Sequence, residues 1–227
     1  MPYVAPSVTF LAILAALFKE DIVKRWRKPD LRASIYLEAP DCERCDMQLV
    51  TQEGDGPKTI VLAPCYAFRM RIENCGQEKA EHVQVYVTEA NIKDASGAFQ
   101  PIPGFLPLNL QWSYSAQKGP DAFADVINPG MTRYLDFGHI IDPQMNETFG
   151  HVGPHLSPSR TTFTFFAGMA PQSGVHILKE GNHLLKLYLS ASNAKRKTVT
   201  VELTVSGAWH DDAAVMLRDG ISIKVRA

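Results

Sequence analysis

From residue 65 to residue 73 the chain alternates with a period of two: Tyr66, Phe68, Met70 and Ile72 fall on one side, Ala67, Arg69, Arg71 and Glu73 on the other. Only an extended strand puts every second side chain on one face, so this run is expected to be a half-buried strand. The same period resumes after Asn74-Cys75-Gly76, with Val83, Val85 and Val87 opposed to His82, Gln84, Tyr86 and Thr88. The two runs are expected to pair antiparallel across that short turn. A second pair is expected near the carboxyl end, where Leu185, Leu187 and Leu189 are followed by Val199, Val201, Leu203 and Val205 across the polar link Ser192-Asn193-Ala194-Lys195.

Weaker strands are expected over residues 32–38, 109–114, 122–127, 132–137 and 161–166, several bounded by Gly or Pro. Many short strands between turn signals predict an all-β sandwich. Residues 211–217 read as one short helix, with Asp211 and Asp212 at its start and Gly220 after its end, and Ile221, Ile223 and Val225 make a last strand.

The run Arg71-Ile72-Glu73-Asn74-Cys75-Gly76, then Ala80 and Val83-Gln84-Val85-Tyr86-Val87, resembles bacterial immunoglobulin-like modules of the adhesion type. In these a strand is followed by Asn-x-Gly, a small residue and a valine-alternating strand. Asn128-Pro129-Gly130 before Arg133-Tyr134-Leu135-Asp136 looks like the turn that leads into a later strand of that family. The chain is also similar to uncharacterised bacterial proteins that carry a short amino-terminal anchor ahead of such a module. The resemblance covers about a third of the chain and implies an elaborated immunoglobulin-like β-sandwich; it supplies no active site.

Residues 3–18 carry no charged side chain and lead directly into Lys19, Glu20, Asp21, Lys24, Arg25, Arg27, Lys28 and Arg32. A helix of this length falls just short of a ~30 Å hydrocarbon core, and Ile22, Val23 and Trp26 would extend it into the interface. No cationic residue precedes the run, as a cleaved signal peptide would require. The flanking positive charges all follow it, which predicts an outward amino terminus and a cytosolic domain on an inner or plasma membrane. The alternative is an amphipathic helix lying on the inner leaflet. Pro29 ends the segment, so the expected division is an anchor over 1–28 and one β domain over 29–227.

The formal net charge is −1, and beyond the juxtamembrane flank the basic residues are dispersed among acidic ones, which excludes the field that nucleic acid needs. Cys42-Glu43-Arg44-Cys45 has chelating spacing, and Cys65 and Cys75 would complete a four-cysteine zinc site. The simpler expectation is four thiols, Cys65 buried in its strand and Cys42, Cys45 and Cys75 in loops, with no metal or cofactor. Outside the cytosol, a disulfide such as Cys42–Cys45 becomes the alternative.

His151 and His155 lie in a Gly- and Pro-containing loop that does not align two ligands. His139 with Asp142, and His210 with Asp211 and Asp212, have the composition of an acid–base pair, although the second group also suits a helix cap. No Gly-x-Ser-x-Gly elbow or Gly-rich phosphate loop occurs. An enzyme is not expected; one built from scattered residues such as His139, Asp142 and His210 remains the rival.

The long insert over residues 90–120 carries Phe99, Phe105, Leu106, Leu108, Leu110, Trp112 and Tyr114. Long loops are often functional, and Phe105, Leu106, Trp112 and Tyr114 are the candidate partner-binding residues. The simpler expectation is that these side chains cover an open edge of the sandwich and complete its core. The reading is a membrane-tethered module that binds or scaffolds other proteins without catalysis.

Overall fold

The computed structural model describes residues 27–51, 58–113, 124–151 and 156–226. In chain order the strands are β1 (Leu31–Ser34), β2 (Cys42–Thr51), β3 (Thr59–Asn74), β4 (Ala80–Lys93), β5 (Phe99–Pro101), β6 (Leu108–Asn109) and β7 (Gln111–Trp112). They continue as β8 (Ala124–Ile127), β9 (Thr132–Ile141), β10 (Phe163–Phe165), β11 (Ile177–Leu178), β12 (Gly181–Ser190), β13 (Lys197–Val205) and β14 (Ile221–Arg226). A short helical turn, α1 (Ala213–Val215), runs into a π-helical turn over Met216–Gly220. Among the described residues no helix is long and apolar enough to cross a membrane, and the expected anchor segment over 3–18 lies outside them.

Two antiparallel sheets result. The first has the order β1-β3-β9-β10-β11, with β2 also on β3 and β7 also on β9; the second has the order β14-β13-β12-β4-β5, with β6 and β8 also on β4. One core lies between them. The alternating sets read from the sequence supply it: Tyr66, Phe68, Met70 and Ile72 from β3, Val83, Val85 and Val87 from β4, and Leu185, Leu187, Leu189, Val199, Val201 and Leu203 from β12 and β13. Burying such side chains contributes roughly 1.5–3 kcal/mol each, which is why the period-two pattern dictates which face turns inward.

The expected hairpin of β12 and β13 forms, in register from Gly181↔Val205 to Leu189↔Lys197. The expected pairing of β3 with β4 does not. These strands lie in different sheets, and β4 pairs with β12 instead. The turn over 74–76 is therefore a crossing from one sheet to the other, fastened by buried Asn74. Its side-chain nitrogen donates to Glu78 O at 2.7 Å and Ile127 O at 2.9 Å, and its oxygen accepts from Gly76 N at 3.0 Å and Asp30 N at 3.2 Å. A Cβ on Gly76 would collide with the backbone of Lys28, Pro29 and Asp30, so glycine lets the entering chain lie against the crossing.

Two further expectations change. Cys42 and Cys45 belong to β2 rather than to a loop. The expected strand over 109–114 is two short strands: Leu108 and Asn109 pair with β4, whereas Gln111 and Trp112 pair with β9, so the chain passes between sheets at Leu110. In β9 the register against β3 shifts between Phe68 and Arg69, which leaves Phe137 as the extra residue of a bulge. Phe137 then joins the core, and His139 and Ile141 lie opposite Ala67 and Cys65 on the other face.

Candidate functional site

β3 is longer than the sheet it supports. β9 pairs with β3 only from Cys65 to Glu73, Asp142 N still donates to Pro64 O at 2.9 Å, and, among the described residues, 59–63 have β2 as their one strand partner. The result is a two-stranded ribbon. Its even-numbered face continues the core-facing side of β3, but among the described residues no second sheet covers it, and Val50, Ile60 and Leu62 are 54%, 60% and 51% exposed. Val50 is opposite Ile60 and Gln48 opposite Leu62, so the three apolar side chains form one patch. Met47, Leu49 and Val61 on the other face are half-buried. Among the described residues the outer edge of β2 has no strand partner.

The root of the ribbon is fixed to the domain. Tyr66 Oη donates to the carbonyl oxygens of His210 and Asp211 at 2.8 and 3.1 Å, its ring packs on Trp209 at 5.2 Å, and Arg44 pairs with Asp211 at 2.9 Å. On the opposite face Arg69 donates to Glu43 at 2.8 Å. Asp41, fully buried, accepts from Arg71 Nε at 2.7 and 2.9 Å and from Tyr36 N at 3.0 Å, and Tyr36 stacks over the same guanidinium.

The four cysteines do not converge. Cys65 and Cys75 are separated by most of β3 and one residue beyond it, roughly 30 Å at ~3.3 Å per residue, so one ion cannot hold both. Among the described residues no group of three or more His, Cys, Asp or Glu could hold a metal ion. The structure instead pairs Cys45 with Cys65, directly opposite each other across β2 and β3, with Sγ atoms 3.1 Å apart. Either thiol can donate across this contact; a bond donated by Cys65, aided by Arg69 and opposed by burial, holds the Cys45 thiol below its ordinary value. The same bond and burial raise Cys65. Burial first, then Glu43 and Asp41, push Cys42 up to about 12, and burial and Glu73 raise Cys75.

The candidate acid–base residues have other occupations. Asp142 accepts from Gln144 N at 2.9 Å as the cap of a 3-10 turn. Asp212 caps α1 by accepting from Val215 N, and His210 contributes its carbonyl to Tyr66. His139 is 4% exposed, and neither ring nitrogen has a hydrogen-bond partner among the described residues. Its ring lies 4.5 Å from Phe166 and 5.2 Å from His151. Burial, then His151 and His176, lower His139 to about 3, and burial with His176 lowers His151 to about 4. The sequence places these rings twelve residues apart with no shared motif; only β9 and the covering loop bring them together. His155 lies outside the described residues.

The aromatic insert divides. Leu108, Leu110 and Trp112 are core residues, and Trp112, at 1% exposed, cannot anchor a partner at the surface. Phe105 packs partly buried against the core, Leu106 is 57% exposed, and Tyr114 lies outside the described residues. Beside β5, a cleft of about 290 Å³ is lined by Ile92, Ile102, Val175 and Ile177 and has Lys179 and His183 as its polar neighbours. His183 Nε2 is already bonded to Lys179 O at 2.9 Å, so the cleft has few directed groups for a polar ligand.

The sequence reading passes over the ribbon, although β-rich runs flank the turn cluster Glu53-Gly54-Asp55-Gly56-Pro57. No protein-family model matches the chain, and a search of curated proteins finds no match.

Proposed function

We propose that this chain is a membrane-tethered protein-binding module without catalytic activity, and that its partner adds an extended strand to the outer edge of β2. In this reading residues 1–28 anchor the chain, with the amino terminus outward and the β domain in the cytosol. The two sheets are an elaborated immunoglobulin-like sandwich. The observation that carries the binding role is the β2–β3 ribbon, whose edge is without a strand partner among the described residues and whose exposed Val50, Ile60 and Leu62 lie on one projecting element.

An uncovered edge with an apolar face is a standing template for another chain, because its backbone donors and acceptors are already aligned. Burying the exposed half of each of the three side chains would contribute about 1 kcal/mol apiece, and the edge hydrogen bonds would fix register. The ribbon is also well placed for reach. From Asn74, beside Asp30, β3 runs roughly 45 Å at ~3.3 Å per residue to Ile60, so the binding element lies at the end of β3 far from Asp30.

A photoreactive residue in place of exposed Gln48, in the full chain in its native membrane, tests this. The expected result is an adduct with a different protein that disappears when Ile60→Lys and Leu62→Lys are combined. An adduct indifferent to those substitutions, an adduct only with a second copy of this chain, or no protein adduct overturns the proposal.

A further inference from the structure

The ribbon leaves the first sheet where Cys45 faces Cys65, and that pair has a geometry that neither protein binding nor packing requires. We propose that Cys45 and Cys65 are a redox-active dithiol, with Cys45 the attacking and Cys65 the resolving thiol, which exchanges with small disulfides of the glutathione type to form a reversible cross-strand disulfide. The inference stands on these two residues and does not depend on the identity of any partner.

Three observations carry it. The residues are directly opposite in an antiparallel ladder, where Cα atoms lie ~4.5–5.5 Å apart, inside the ~4.4–6.8 Å range that a disulfide bridges. The sulfurs are already 3.1 Å apart, so about 1 Å of movement by side-chain rotation closes the bond to its length of ~2.05 Å. Exposure is divided as the two roles need: Cys45 is exposed, whereas Cys65 is 1% exposed. The bond from Cys65 and the nearby Arg69 also favour the thiolate of Cys45, the form that attacks. Cys42, buried and facing Phe68 on the core side of β2, has neither the access nor the partner.

The exchange balances. The Cys45 thiolate attacks one sulfur of the small disulfide, giving a mixed disulfide on Cys45 and releasing one thiolate. Cys65 Sγ then displaces the second small thiol from Cys45 Sγ, and the Cys65 proton leaves with it. Two electrons pass from the protein to the reagent, whose sulfur–sulfur bond is replaced by that between Cys45 and Cys65.

The test exposes the reduced full chain to oxidised glutathione, traps the remaining thiols by alkylation and maps the links by mass spectrometry. Two of the four thiols should disappear, with a Cys45–Cys65 link, an intact mass lower by two hydrogens, and full reversal by dithiothreitol. Cys65→Ser should stop at a lasting glutathione adduct on Cys45. Since a buried substitution can prevent folding, Cys45→Ser serves as the second variant, and in it Cys65 should acquire no adduct. In the reduced chain at pH 7, Cys45 should alkylate roughly tenfold faster than Cys75, the other exposed thiol. A lasting adduct on wild-type Cys45, a Cys42–Cys45 link, chains joined through Cys75, or equal alkylation of Cys45 and Cys75 overturns the proposal.

Discussion

Acidification from pH 7.5 to pH 5 should destabilise this domain by about 4 kcal/mol, through two buried imidazoles. His139 and His151 are 4% and 7% exposed, and their rings lie 5.2 Å apart. In an unfolded chain each takes up a proton as the pH falls through about 6.5. In the folded domain burial, reinforced by the neighbouring rings, delays protonation to about 3 for His139 and about 4 for His151. The unfolded state therefore binds more protons throughout the intervening window. Stability is complete above pH 6.5 and is lost as the pH falls towards those lower values. At pH 5, some 1.5 units below the unfolded value, each histidine costs about 2 kcal/mol at ~1.36 kcal/mol per unit. Burial also lowers His176 and His183, which adds to the effect in the same direction. Domains commonly have only ~5–15 kcal/mol in total, so the loss is a large fraction. Urea unfolding of the full chain in mild detergent, followed by tryptophan fluorescence at several pH values, measures it. His139→Leu should remove about 2 kcal/mol of the loss, with His151 and the smaller contributions of His176 and His183 left in place. A wild-type stability that is flat between pH 7.5 and 5, or a His139→Leu variant with the full slope, refutes the reasoning.

Asn74→Ala removes four hydrogen bonds at the crossing between sheets and leaves the buried Ile127 carbonyl without its side-chain donor; the expected loss is about 3–5 kcal/mol, read from the urea midpoint at pH 7.5. The proposed cytosolic placement of the domain can be tested on the two exposed thiols, Cys45 and Cys75. A membrane-impermeant maleimide should label them only after permeabilisation, and labelling in intact cells would place the domain on the outer side.

Side-chain periodicity was a reliable guide to faces and a poor one to partners. The inward sets of β3, β4, β12 and β13 were all legible, since burying one face leaves period-two alternation in the residues themselves. Asp212 as cap and Gly220 as helix end were legible for the same local reason. The pairing of β3 with β4 was misread because Asn74-Cys75-Gly76 specifies a change of direction and nothing about which sheet the next strand enters. Trp112 fits both a surface anchor and a core residue in the sequence, because a passage of one residue between sheets, at Leu110, has no periodic signature to decide between them. β2 was hidden for a different reason: Glu43, Arg44, Asp46 and Gln48 give it the polarity of a loop, as befits a strand with little covering it. Without a legible β2 the meeting of Cys45 with Cys65 has no sequence signature, because it depends on register between residues twenty positions apart.

The entry of the chain beside Asn74 and the projection of the ribbon from the far end of β3 also determine how the domain bears load. A pull on the ribbon against a fixed amino terminus acts along the strand axis. β1 begins at Leu31 opposite Asn74 and runs antiparallel to β3, so such a pull slides the two strands past each other in shear. The paired positions from Leu31↔Asn74 to Ser34↔Arg71 then resist together instead of opening one at a time from an end. Lys197 reinforces the same corner, with its ammonium 2.9 Å from Asp30 just ahead of β1. If the proposed tether and partner act at these two ends, β3 is the strand that carries tension between them.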